Sequence, residues 1–484
     1  LITEHFLPGQ PFLLLFGHTI MAALIAAVSD RYPEIADQMS KLVFHRSGGP
    51  TLMAPRAVSS DGYKIPCQWL IFRRYYFHNR FSSIVGGNSG FHPLLFPRFS
   101  NMTPLFRKFF GINWLLFANM MALLIVGVFA IYSACWMRED PELVGKWRSQ
   151  IQYITIGMIG FFAAALIDYK WIRRMGIPFF LFGLILLILT HFFGVEINNS
   201  KSWVKLGPLS IQTSQIAICG GIAGMAVILA YLHRVHPMLK NPFLRLVLTG
   251  VVATIPLLMV LKQGDFGSAF VWIPVTAVMI LVGNIPFRYI LVVVLIGTLF
   301  LPYIFFFALE DYQKKRITVQ YRMLRGEKVD TRNEAYNAHN NLMAIGSGGW
   351  TGKGFKNPDT INNKRFITPD TAINDFVFVV FAEEQGFRGA LVLLAGFMLM
   401  LLQCLFVAFY SRDVLGRLLV VGVVALIFAL IFQNVGMNVL LTPITGIPLP
   451  LISYGGTFVV IVMFLLGLVQ SVWIHRFDYS EETH

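Results

Sequence analysis

The sequence predicts an all-α polytopic membrane protein: ten transmembrane helices with a long outer loop between helices seven and eight. Three observations predict it. Hydrophobic residues make up 56% of the 484-residue chain and charged residues only 13%, with a mean hydropathy of +0.64, whereas soluble domains carry about 25% charged residues. From Asn113 onward, apolar runs of membrane-spanning length follow one another. The short connections between them alternate between rich and poor in Lys and Arg.

Residues 1–101 differ from the rest. Phe12 to Val28 is apolar, but a run of about 17 residues is at the short limit for a span. The core of a signal peptide is the other reading of it, although no basic segment precedes it. From Ser29 to Asn101 neither helical nor strand periodicity is sustained. Met102 then begins MTPLFRKFFGINWLLF, a short basic segment leading into a helix. The expectation is a functional module over 102–484, with 1–101 an N-terminal extension, read as an open frame extended upstream of the functional start.

The ten expected helices cover about 113–134, 151–168, 177–194, 211–232, 243–261, 266–284, 286–309, 376–410, 417–441 and 455–475. The eighth is long enough to contain an interfacial turn near Glu383, Glu384 and Gly386. Pro256, Pro274, Gly220 and Gly221 fall inside helices, which a bundle tolerates because neighbours satisfy the freed backbone groups. Arg107 and Lys108 share one side with Lys170, Arg173, Arg174, Arg234, Lys240, Arg245, Arg288, Arg412, Arg417 and Arg476. The other side has Arg138, Lys146 and Arg148, diluted by acidic neighbours, then Lys201, Lys205 and Lys262, and no basic residue from Thr442 to Tyr454. The positive-inside rule makes both ends of the module cytoplasmic and places the loop 310–374 outside.

The net charge of +14 points to cytoplasmic loops and anionic headgroups rather than to nucleic acid. Cys67, Cys135, Cys219 and Cys404 form no CxxC pair, so neither a zinc site nor a disulfide framework is indicated. His233 and His236 lie in a basic loop with no third ligand nearby and read as solvated.

The segment TAINDFVFVVFAEEQG, 371–386, closes the polar loop and opens the eighth helix, with Asp375 at the junction. Asn374 and Asp375 suit a helix cap. A carboxylate at the mouth of a span is also costly unless solvated, paired or used, so a functional acid and a cap are both open, and compatible. Gly346 to Phe355, GSGGWTGKGF, resembles a phosphate loop but fails its spacing: Ser347 stands where the first glycine belongs, and Gly354 follows Lys353. Its glycines, Gly348 and Gly349 among them, suit either an anion-binding backbone with Lys353 nearby or a tight fold against the bundle. The loop 198–215 brings Lys201, Trp203 and Lys205 to the outer boundary, where Trp and Lys also serve as plain interface anchors. Lys262 and Asp265 follow at another outer helix end, as an ion pair or as partners of neighbouring lysines. Leu441 to Thr457, LTPITGIPLPLISYGGT, is nearly uncharged, and its prolines and glycines imply a rigid, cavity-lining backbone. No run of charges at helix midpoints suggests a proton-driven pump. The physical reading is a site at the outer membrane surface for an anionic, lipid-anchored ligand.

The chain resembles the shape, elongation, division and sporulation (SEDS) family of bacteria over about Met102 to Phe477. The resemblance rests on AIGSGGWTGKGF at 344–355, NDFVFVVFAEEQGFRG at 374–389 and NVGMNVLLTPITGIPLPLISYGG at 434–456; GIPLPLISYGG is closer to the elongation branch than to the division branch. It implies a peptidoglycan glycosyltransferase of the cytoplasmic membrane that polymerises lipid II, with FtsW-like division members the close alternative. It further implies a class B penicillin-binding protein transpeptidase and other elongation-complex membrane proteins as partners. Asp375 matches the family's essential aspartate. Trp203 and Asp265 match residues of its outer-loop motifs, and Ser453, Gly455 and Gly456 lie in the last one. Lys205, Lys262, Lys353 or a divalent cation (Mg or Mn) would offset pyrophosphate charge. The family pattern RWLxLG…FQPSExAK is altered here: Ser202 replaces the Arg, Thr213 the Pro, Gln215 the Glu and Ile218 the Lys. The Glu–Lys pair is lost as a pair, which can be nearly neutral for stability, and Lys201 is the candidate stand-in for the Arg. Two other functions stay open on this evidence, a lipid II flippase and a non-catalytic scaffold of the elongation complex.

Overall fold

The computed structural model describes residues 108–197, 200–206, 209–232, 240–303 and 311–477. The expectations for residues 1–101 and for the His233–His236 loop lie outside these.

All ten expected helices are present: α1 (Trp114–Cys135), α2 (Lys146–Leu166), α3 (Ile172–Phe193), α4 (Thr213–Val227, continued as a π turn to Leu232), α5 (Pro242–Lys262), α6 (Phe266–Val282), α7 (Phe287–Tyr303), α11 (Val377–Tyr410), α12 (Val414–Asn438) and α13 (Gly456–Ile474). Eight are long and apolar enough to cross a membrane; α6 and α7, at 17 residues each, are shorter apolar helices. Most of α4 and α12 is buried, as expected of helices apolar on every side, and α3, α5, α6, α11 and α13 pack against one or both of them. Polar side chains cap and staple the bundle where backbone would otherwise be unpaired. The Asn113 side chain caps α1, and its main chain exchanges two 2.9 Å hydrogen bonds with the Gln470 amide. The start of α1 and the end of α13 therefore share one end of the bundle. Gln150 bonds the Ser453 carbonyl and the Gly455 amide at the opposite end.

Between α3 and α4 lies a three-stranded antiparallel meander, β1 (Val195–Ile197), β2 (Ser200–Leu206) and β3 (Leu209–Gln212). The sequence reading had only a loop here. The sheet satisfies backbone groups at the membrane edge, where water is scarce, and Lys201 N donates to Gln263 O to tie it to the α5–α6 turn.

The long loop between α7 and α11 contains α8 (Asp311–Leu324), α9 (Tyr336–Gly348) and the five-residue α10 (Pro369–Ile373). Its glycine-rich turn is clamped to α11 where that helix breaks at Gly386, which has φ +66°. The amides of Lys353 and Gly354 donate to the carbonyls of Glu383 and Glu384, and that of Phe387 to Gly349 O. A Cβ on Gly386 would come within 2.2 Å of Gly352 N, and one on Gly352 within 2.1 Å of Glu384 O. Only glycines permit this approach.

Candidate functional site

Asp375 sits between α10 and α11, half-buried. Its position is fixed through backbone rather than through its carboxylate. Asn434 and Asn438, one turn apart on α12, donate to the Asp375 carbonyl at 2.9 and 3.3 Å. Ser453 Oγ donates to Asn374 O at 2.5 Å, and Tyr454 N to Ile373 O at 2.9 Å. Asn438 is held in turn by Asn341 of α9 at 3.0 Å. The 439–455 loop closes on the carboxylate at Gly446, where a Cβ would lie 3.4 Å from Oδ2; this glycine has φ +75°. Phe376 is buried immediately behind.

The carboxylate itself makes no hydrogen bond or ion pair with the described residues. Burial pushes it up to about 7, while the Arg316 guanidinium pulls the other way. Such a group changes protonation near neutral pH, which suits proton transfer. Asp375 does not cap α11, which begins without a side-chain cap.

The other expected site residues divide differently. Lys353 is engaged in an ion pair with a buried acid. Its Nζ lies 2.6 Å from Oε1 of Glu383, which is fully buried and also accepts from Ile361 N and Ser347 Oγ. Leaving that carboxylate without a counter-charge would be costly. Gly348 and Gly349 belong to the clamp on α11, and the loop amides that would have formed an anion-binding nest are bonded to carbonyls. Asp265 forms no pair with Lys262. It caps α6 through Ser268 N, and its other oxygen accepts from Gln212 and Ser214. Lys262 is exposed at the end of α5. Trp203, half-buried, pairs in register with Val195 and Gln212 on the sheet that also carries the Lys205 backbone. Ser453 is fully buried, with Oγ shared between Asn374 O and Leu449 N. Gly456 admits the Tyr153 ring, and Gly455 donates to Gln150.

The altered family motif is filled by neutral groups. Thr213 bonds Thr190 at 2.8 Å, Ser202 is fully buried against Ser200, and Gln215 and Ile218 are both buried. Lys201 is exposed on β2, so nothing in its setting places it as the missing Arg.

Arg316, Asn434 and Asn438 were not singled out from the sequence. A signal was present: Arg316 and Gln320, like Asn434 and Asn438, are four residues apart and so share a helix face. What hydropathy could not supply was that α8 folds back over the 439–455 loop.

A family model described as a cell cycle protein, FTSW_RODA_SPOVE, matches residues 113–477. The peptidoglycan glycosyltransferase MrdB of Escherichia coli K12 is 30% identical over 358 residues, covering 73% of this chain and 93% of that protein. A probable peptidoglycan glycosyltransferase FtsW of Thiomicrospira cyclica is 31% identical over 387 residues, covering 76% and 92%. A chain from a solved peptidoglycan synthase complex that coordinates polymerization and crosslinking aligns with a TM-score of 0.62 at 24% identity, over 76% of this chain and 99% of that one. That last likeness bears on the fold.

Proposed function

Since the chain belongs to the FtsW/RodA/SpoVE family of cell cycle proteins, we propose that it is a peptidoglycan glycosyltransferase. It polymerises lipid II at the outer face of the bacterial cytoplasmic membrane, with both ends of the module inside. The observation that carries this reading is Asp375: a half-buried carboxylate without a partner among the described residues, held by backbone bonds at the end of the bundle opposite the start of α1 and the end of α13. The relatives called peptidoglycan glycosyltransferases support the reaction class.

In this reaction the 4-hydroxyl of one lipid II sugar attacks the anomeric carbon of the other. Asp375 takes the hydroxyl proton as the new C–O bond forms. The bond from the anomeric carbon to the pyrophosphate breaks, and the lipid pyrophosphate leaves with the electron pair. A base so placed contributes roughly 10²–10⁴-fold. A divalent cation, Mg or Mn, fits this reading through the substrate: no three His, Cys, Asp or Glu side chains are grouped to hold one among the described residues, and Mg is commonly held by a carboxylate plus substrate phosphates. Bound in that way, it would offset charge on the departing pyrophosphate.

The expected partner is a class B penicillin-binding protein transpeptidase with other elongation-complex membrane proteins, a reading supported by the synthase-complex likeness and by the GIPLPLISYGG segment. The test is polymerisation of purified lipid II with and without that transpeptidase. Asp375→Ala is expected to abolish glycan strands while retaining the wild-type thermal transition. Undiminished product from that variant would remove the base assignment. Movement of lipid II across the bilayer without polymerisation would instead establish a flippase, and neither activity a scaffold.

A further inference from the structure

Three features converge above Asp375. Helix α8 is polar and basic, yet it lies on the loop that closes the site. Arg316 Nη1 donates to Ile444 O at 3.0 Å, and Gln320 Nε2 donates to Leu440 O at 2.7 Å. Val319, between them on the same face, is buried. The carbonyl that Arg316 holds is two residues from Gly446, the closest approach of that loop to Asp375 Oδ2.

We propose that Arg316 is a positioning residue for Asp375: it straps α8 to the Ile444 carbonyl, fixes the segment that closes on the carboxylate at Gly446, and brings its positive charge to that side of the site, favouring the form of Asp375 that accepts the proton. The inference rests on the glycosyltransferase reading. Among the described residues, no other charge supplies the same effect. Helix α12 offers Asn434 and Asn438, both neutral. The loop from Thr442 to Ser453 has no ionisable side chain, and the next residue is Tyr454. On α8, Lys315 is paired with Glu334 at 2.6 Å. Asp370 of α10 lies five residues upstream. On α11, Glu383 lies two turns along and is matched by Lys353. Arg316 is the charged group whose field acts on Asp375, and it acts in the direction of the ionised form.

The role also explains the choice of side chain. A guanidinium can bond a carbonyl with one edge and face a second group with another, whereas an ammonium is a point charge without that fork.

The test is the pH dependence of kcat for lipid II polymerisation by the full chain with its transpeptidase. A nearby opposite charge lowers a carboxyl by about 1–3 units, so removing it raises the group by about one unit or more. Arg316→Gln is therefore expected to move the acid limb of the profile up by about one pH unit, with about tenfold less activity at pH 6 and recovery toward wild type above pH 8. Arg316→Lys, which keeps the charge, is expected to leave the limb in place at somewhat lower kcat. Arg316 is exposed, and surface substitutions rarely unfold a protein; Arg316→Met, which keeps the apolar stem, is the second variant. A limb unmoved in Arg316→Gln and Arg316→Met, or shifted equally in Arg316→Lys, overturns the proposal. A wild-type chain that makes no glycan overturns the polymerase reading instead, and an Asp375→Ala chain with undiminished product removes the base assignment.

Discussion

At the scale of single residues, the acids near the outer end of α11 have opposite electrostatic settings. Asp375 has no partner for its carboxylate among the described residues and is raised to about 7 by burial. An unfolded Asp titrates near 3.9, so between about pH 4 and 7 the folded chain holds a proton that the unfolded chain has released. Stability contributed by that proton is present at low pH and is lost as pH rises through about 7. Asp375→Asn is therefore expected to melt at the wild-type temperature at pH 4.5 but above it at pH 8, while losing polymerase activity; scanning fluorimetry in detergent at both values checks it. Equal melting of the two proteins at pH 8 would mean that Asp375 is well solvated. Glu383, by contrast, is fully buried and satisfied by Lys353, Ile361 N and Ser347. Lys353→Met is expected to cost about 3 kcal/mol, as one-sided loss of a buried pair does. Adding Glu383→Gln should restore much of that, because the amide oxygen still accepts from Ile361 N without carrying a charge. If Lys353 instead served the pyrophosphate, Lys353→Met would lower activity at unchanged stability and the second substitution would rescue nothing.

At the scale of elements, the break in α11 is enforced from two sides. Gly386 adopts a left-handed backbone that costs other residues about 1–2 kcal/mol, and the Gly352 backbone occupies the space where its Cβ would stand. Gly386→Ala therefore combines both penalties. It is expected to lower the melting temperature and, by releasing the outer turns of α11, to reduce polymerisation by tenfold or more even though Asp375 is eleven residues away. Wild-type melting with full activity would mean that the clamp is dispensable. The helices themselves were legible because each is an uninterrupted apolar run, and the sequence even marked the α11 break through Glu383, Glu384 and Gly386. The β1–β3 meander was not, because its strands are three to seven residues long and the S-W-V-K-L alternation at 202–206 is too brief to separate from an interfacial loop. Asp375 could be picked out because an acid at a helix mouth is chemically conspicuous. The pairing of Lys353 with Glu383 was not legible because the two are thirty residues apart in sequence, and no local spacing rule reaches that far. Arg316 was passed over for the same reason, its contact Ile444 lying 128 residues on.

At the scale of the whole molecule, everything proposed for Asp375 depends on which side of the membrane it faces. The bundle puts the termini of the described chain at one end, where Asn113 meets Gln470, and Asp375 at the other with Ser453 and Gln150. Which end is outside was read only from the distribution of Lys and Arg, a statistical bias on insertion rather than a contact in the fold. Single cysteines can decide it. Cys135, Cys219 and Cys404 are buried, so with Cys67→Ser the background reaction with a membrane-impermeant maleimide should be low. Asp359→Cys, on the exposed part of the glycine-rich loop, is expected to label in intact spheroplasts. Arg412→Cys, exposed between α11 and α12 at the opposite end, should label only after permeabilisation. The reverse pattern would turn the site toward the cytoplasm, where a lipid-linked sugar is assembled rather than polymerised, and would favour a role in handing that substrate across the bilayer. Labelling of both positions in intact spheroplasts would mean that α11, the one long helix between them, does not carry the chain across the bilayer.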